Sequence, residues 1–384
     1  MSLTNPKVFR VATVIDAFIH IKGQLEIYQQ EDKNIALISD TGKFQSLFDQ
    51  MKIPHQQISF KREISPLNDL KTLFQLICIF TKERPDVIHS STPKAGLLCA
   101  VAGFLTRVPI RIHTFTGQRW ATMSGIKRIL LKVFDKLICR LNTKVFSDSF
   151  SQNNFLISQG IVSKEKINCL HKGSLGGIDL KKFNRKNIEN TSFLRNKFSI
   201  SKDTIVFLFL GRVTPEKGIL ELIQAFSMYK KNISADVKLL IVGPNELGND
   251  SFAEKISDLI KSDSDIFAPG ATDRPQEFFA ISDIFCIPSY REGFGTVVLE
   301  AAAMAVPSIG SKIPGLTDSI IDGKTGILVD VKSTESLFSA MSTLGVDQTL
   351  RLKYSKAALD RAQNEYNIEL IANLQWAEYI GHHN

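Results

Sequence analysis

The chain has 384 residues, 43% hydrophobic and 22% charged, which is enough for two ordinary domains, each with its own core. No apolar run approaches the roughly 20 residues that span a bilayer, and Met1 to Lys7 leads into a strand-like run without a signal-peptide apolar region. The net charge of +8 is uneven: residues 1–190 carry 28 Lys and Arg against 15 Asp and Glu, a balance of +13, and the remainder carries −5.

A basic front half points to an anionic partner, whether nucleic acid, a phosphorylated substrate or an anionic membrane surface. The five cysteines (Cys78, Cys99, Cys139, Cys169, Cys286) form no metal-type pair and fit reduced core thiols in a cytosolic protein.

In chain order, short apolar runs alternate with helical periodicity, the signature of parallel α/β units. Strands are predicted at Val8–Ile15, Ile35–Ser39, Asp86–His89, Ile110–Phe115, Lys144–Ser147 and Lys166–Leu170, with helices clearest at Leu67–Lys82, Pro93–Thr106 and Ile126–Asn142. The stretch His171–Arg185, rich in Gly and Lys, is the expected boundary. A second series follows at Thr204–Leu210, Val237–Val242, Ile284–Ile287 and Gly326–Val329. The expected fold is therefore α/β, with two doubly wound, Rossmann-like parallel-sheet domains over 1–182 and 183–365. A last helix within 366–384 is expected to pack back on the first domain. Ligands of such sheets bind beyond the carboxyl ends of the strands, here expected in a cleft between the domains.

Two strand–Gly loop–helix stretches stand out in the second half. Phe209 to Gly218 includes Gly211, Arg212 and Lys217; Arg212 offers a planar fork for phosphate oxygens and Lys217 a compact charge. Pro288 to Glu300 runs through Gly293, Phe294, Gly295 and Thr296 into an Ala-rich helix, whose N-terminus favours an anion. Glu292 at the loop mouth and Glu300 about one turn into the helix can face a ligand carrying hydroxyls next to phosphate. Two anion-seeking loops, two glutamates and no Walker-type lysine suit a nucleoside diphosphate sugar better than ATP.

Gly211-Arg212, Glu216-Lys217-Gly218 and Glu292-x7-Glu300, with Val242-Gly243-Pro244, Asp283 to Ser289 and Pro314-Gly315-Leu316, resemble the retaining glycosyltransferases of family four, which have the two-domain GT-B fold. Thr92 to Gly96, His113 to Gln118 and Gly173 to Asp179 resemble a subgroup that extends lipid-linked sugars in O-antigen, capsule or related glycan assembly.

The resemblance implies a catalytic set of Arg212, Lys217 and Glu292. The two cations would bind the donor diphosphate and stabilise its developing charge, and Glu292 would hold sugar hydroxyls. Glu300 would hold the ribose, Gly293, Phe294 and Gly295 would supply backbone donors, and the base would lie by Phe267–Gly270. Gly211, Gly270 and Thr296 complete the expected donor site. The implied donor is a UDP-sugar, with a GDP-sugar left open and an N-acetylhexosamine as the expected sugar. The implied acceptor is undecaprenyl-diphosphate-linked, and no metal or other cofactor is expected.

The first half departs from the family pattern at two places. The usual family histidine corresponds to Thr116, with His113 three residues earlier, and the glycine-rich loop after the first strand is reduced to Lys22-Gly23. All four are candidate acceptor or sugar contacts. Arg128, Lys132, Lys136, Arg140 and Lys144 recur four apart and form either a solvated face or a docking stripe for anionic lipid headgroups. The expected enzyme is thus peripheral on the inner face of the cytoplasmic membrane. Asp263-x-Asp265 superficially matches the metal pair of another glycosyltransferase fold, but sits in a Lys/Ser/Asp turn. A sugar-nucleotide epimerase of the same fold and a catalytically silent sugar-nucleotide-binding subunit are the alternatives. Nucleic-acid binding is disfavoured by the lack of Arg/aromatic interleaving.

Overall fold

The computed structural model describes residues 4–61, 65–188 and 191–381. The first sheet holds β1 (Val8–Val14), β2 (Ile35–Asp40), β3 (His55–Gln57), β4 (Val87–Ser90), β5 (Ile110–Phe115), β6 (Lys144–Ser147) and β7 (Ile167–Cys169), in the order β3-β2-β1-β4-β5-β6-β7. The second holds β8 (Ile205–Leu210), β9 (Val237–Val242), β10 (Ile266–Gly270), β11 (Ile284–Ile287), β12 (Ser308–Ser311) and β13 (Gly326–Val329), in the order β10-β9-β8-β11-β12-β13. Neighbouring strands pair in parallel in both.

Each sheet begins at an inner strand, runs outward, then returns to that strand's other side. This leaves a topological switch point between β1 and β4, and another between β8 and β11, the places where such sheets receive ligands. The fold is the doubly wound α/β pair expected from the alternation of strands and helices.

The inner strands β8 and β11 are apolar throughout because helices cover both faces of a parallel sheet; Val206 to Phe209 and Ile284 to Ile287 are all buried. Three strands escaped this pattern. β3 is a polar edge strand. β10 carries Pro269, which an edge strand tolerates. β12 is fully buried but reads Ser-Ile-Gly-Ser, so small side chains interrupt its apolar run.

The chain divides into two compact units, 1–177 with 368–384, and 178–367. The first division therefore comes after Gly177, where sequence placed it after Lys182. Ile178 N–H donates to the Tyr366 carbonyl at 2.7 Å and Ile178 bridges to Asn367 in parallel, which ties these residues into the second unit.

The helix expected within 366–384 runs Ile368–Ile380 and belongs to the first unit; residues 382–384 lie outside those described. It seats Trp376 against Tyr28 with ring centroids 5.1 Å apart, and Tyr28 Oη donates to the Ala372 carbonyl. Tyr379 reaches the buried Arg10, whose guanidinium donates to its hydroxyl at 2.7 Å, and the same hydroxyl meets His89 Nδ1 at 2.8 Å. Burial holds the His89 imidazole well below its ordinary pKa, so its ring is neutral and its other nitrogen bonds Thr114. Removing that hydroxyl strips a buried cation of a partner. Tyr379→Phe is expected to cost about 2 kcal/mol in urea unfolding of the full chain, and an unchanged midpoint would show that the hydroxyl carries no load.

Candidate functional site in the second unit

The two loops singled out by sequence leave neighbouring strands on either side of the β8/β11 switch point. After β8 the chain passes Gly211 and Arg212, makes one 3-10 turn over Pro215–Lys217, and enters the helix Ile219–Asn232. After β11 it passes Ser289 to Gly293 and enters the helix Thr296–Ala303, capped by Gly295 in the left-handed region.

Contacts lock these loops together. Gly218 has φ +70°, and a Cβ there would stand 2.2 Å from the Pro288 carbonyl oxygen. Tyr290 N–H donates to the Glu216 carbonyl at 2.8 Å, and Tyr290 Oη donates to Glu221 at 2.5 Å. The loop after β12 closes on the same place: Gly315 has φ +89°, and a Cβ on it would lie 2.3 Å from the Gly293 carbonyl oxygen. Positions with both a left-handed backbone and no room for a Cβ admit only glycine.

At the junction Lys217 Nζ meets Glu292 Oε1 at 2.5 Å, both side chains being mostly buried. Ser289 Oγ donates to the same carboxylate oxygen at 2.8 Å. Sequence separation concealed this pair, since its members stand 75 positions apart. Arg212 is more open and its guanidinium lies 2.9 Å from Glu246, a carboxylate from the loop after β9. Sequence reading missed Glu246, although it sits just beyond the Val242-Gly243-Pro244 motif; the Val213–Asn245 bridge brings that loop alongside.

Glu300 does not join the Lys217 pair. It lies one turn into Thr296–Ala303, where burial pushes its carboxyl up to about 7 against the pull of the Lys182 ammonium, a neighbour the sequence did not reveal. Gly270 ends β10 with φ +88° and its carbonyl accepts from Gly243 N–H. Phe267 packs edge-on against Phe198, and Phe294 is buried against Tyr366, so both rings belong to the core; Phe294 brings only its backbone to the loop.

Residues 190–361 match the glycosyl transferases group 1 family, and residues 44–173 match the glycosyl transferase 4-like domain. A capsular polysaccharide biosynthesis glycosyltransferase of Staphylococcus aureus is 31% identical over 369 residues, covering 96% of this chain and 95% of its own. The chain belongs to this glycosyltransferase family. An Escherichia coli UDP-Gal:alpha-D-GlcNAc-diphosphoundecaprenol alpha-1,3-galactosyltransferase is 27% identical, covering 80% of this chain and 78% of its own. The Anabaena protein HepE, solved with UDP and glucose, superposes with a TM-score of 0.82 at 18% identity over 98% of this chain and 100% of its own, which shows a shared GT-B fold.

In the first unit of this glycosyltransferase the expected contacts fare unevenly. Thr116 follows directly on β5, half-buried, with Oγ1 3.4 Å from the Ser91 carbonyl. His113 lies deeper than Thr116. It is buried inside the sheet layer, bonded to Ser90 Oγ at 2.9 Å and set edge-on to Phe115, and burial pushes its imidazole down to about 3. Lys22 and Gly23 form no loop either. They open the helix Lys22–Gln30, where Lys22 pairs with Glu26 and Gly23 lets Ile368 approach.

The basic stripe is also rearranged in this glycosyltransferase. Arg128 and Lys132 lie over the Trp120 ring and donate to Gln159, Lys144 belongs to β6 and pairs with Glu378, and only Lys136 and Arg140 stay exposed. Asp263 and Asp265 are ion-paired to Lys230, and Asp265 also to Lys238.

Proposed function

We propose that this glycosyltransferase moves a sugar from a UDP-sugar, with retention of anomeric configuration and without a metal, to an undecaprenyl-diphosphate-linked saccharide in surface polysaccharide assembly. An N-acetylhexosamine is the sugar proposed, and the inner face of the cytoplasmic membrane the place. The observation that carries the reading is the Lys217–Glu292 pair held at the β8/β11 switch point. The capsule and diphosphoundecaprenol relatives and the UDP-bound HepE fold support it. Among the described residues no helix is long and apolar enough to cross a membrane.

As the bond between anomeric carbon and phosphate oxygen breaks, the electron pair stays with the diphosphate. Lys217 and Arg212 offset that growing charge, with Arg212 exchanging Glu246 for a phosphate oxygen. Glu292, already fixed by Ser289 and Lys217, accepts from sugar hydroxyls, and Glu300 accepts from the ribose. The acceptor oxygen attacks from the face the diphosphate leaves, and its proton passes to the leaving phosphate oxygen.

The test is UDP release from a panel of UDP-sugars, with and without short-chain polyprenyl-diphosphate sugars, in the presence of EDTA. Release that needs both substrates and ignores EDTA is the expected result. Conversion of the sugar nucleotide without UDP release would replace this reading with epimerisation, and dependence on added metal would remove the metal-free mechanism.

A further inference from the structure

The outer face of the helix Gly125–Leu141 is not the cationic stripe alone: Lys136 and Arg140 share it with apolar side chains, while Arg128 and Lys132 are half-buried. Asp135, Ile138 and Cys139 are buried on its inner side, where Trp120 Nε1 donates to Asp135 at 2.7 Å. Its outer side shows Ile126 (82% exposed), Ile129 (63%), Leu130, Val133 and Leu137, spaced as one helical stripe. Bare side chains of this size on one face cost solubility and mark a surface that is covered in use.

We propose that this stripe inserts into the interfacial layer of an anionic lipid bilayer, so that the enzyme is held by apolar insertion with flanking cations rather than by a cationic face alone. The charges select the occupant. Lys127, Lys136 and Arg140 are exposed beside the stripe, and the helix's one acidic residue, Asp135, is turned inward. A second copy docking here would set cations against cations, whereas anionic headgroups complement them. The position fits a lipid-linked acceptor. The helix starts beyond the carboxyl end of β5, the ligand-receiving edge of a parallel sheet, so insertion of its first turns brings that edge to headgroup level. The inference rests on the lipid-linked acceptor proposed above.

The test is co-sedimentation of the full chain with mixed phosphatidylcholine/phosphatidylglycerol vesicles at low and high salt. Binding is expected to survive high salt in part. The combined variant Ile126→Ser, Ile129→Ser and Val133→Ser is expected to lose at least about tenfold in vesicle affinity. Val346→Ser with Leu352→Ser, which removes comparably exposed side chains from the second unit, is expected to bind like the parent. Unchanged binding in the triple variant overturns the proposal. So does parental binding that vanishes entirely at high salt, or a parental dimer that the triple variant splits without changing vesicle affinity.

Transfer to a water-soluble short-chain acceptor is measured in parallel. The triple variant is expected to retain it while losing transfer to a long-chain acceptor presented in vesicles. Absence of transfer in the parent with every acceptor would overturn the catalytic reading, while the sedimentation result still decides docking.

Discussion

Lys217→Ala is expected to lower transfer at least about 100-fold, and Glu292→Ala to do the same, the scale of losing a contact made at the transition state. Both side chains act from a pair already formed in the folded unit, 2.5 Å apart. In the proposed reaction the lysine supplies the charge that faces the departing diphosphate. The glutamate is bonded to that ammonium and to Ser289, and in the proposed reaction its remaining lone pairs accept from the sugar. Because either deletion also strands the other partner, the double variant is expected to be little worse than the worse single one. The measurement is kcat/KM for UDP release, with circular dichroism to confirm the fold. Rates near the parent's in either single variant would show that the two roles are misassigned.

With Glu300 in its proposed role as ribose acceptor, donor affinity is expected to fall as pH drops through about 7, approaching tenfold per pH unit below it. Stability moves the other way. The folded-state pKa is raised from 4.5 to about 7, so between these values the folded chain binds more protons than the unfolded one. The contribution of Glu300 to stability therefore rises as pH falls from 7 toward 4.5, and is lost as pH climbs back through 7. Glu300→Gln should flatten both profiles, the KM for donor and the thermal midpoint. A parental KM that stays level from pH 5 to 8 would detach Glu300 from the donor.

Long apolar runs made most strands legible, since a parallel strand covered on both faces has no polar side to disguise it. The same covering defeated the reading of His113, because alternation along β5 points either way into a packed layer. In the helix Gly125–Leu141, periodicity sorted residues into stripes but could not say which stripe met the sheet. The Arg128 guanidinium and the Lys132 ammonium settle over Trp120, and Ile126 and Ile129 are left outside. At the site, glycine spacing announced the loops and the residue types announced the charges. Lys217 with Glu292, Arg212 with Glu246 and Glu300 beside Lys182 became visible only once distant parts of the sequence were brought together.

The second unit is an insertion within the first: it is entered at Ile178 and left at Asn367, two residues that pair with each other. Everything it needs for its sheet and its charged site is synthesised before the helix Ile368–Ile380 exists. The first unit, although it begins the chain, finishes last, since Arg10, His89 and Tyr28 wait for Tyr379 and Trp376. A chain that stops short of Ile368 would therefore carry a finished second unit and leave the first with an open core, and a nascent chain on the ribosome passes through that state.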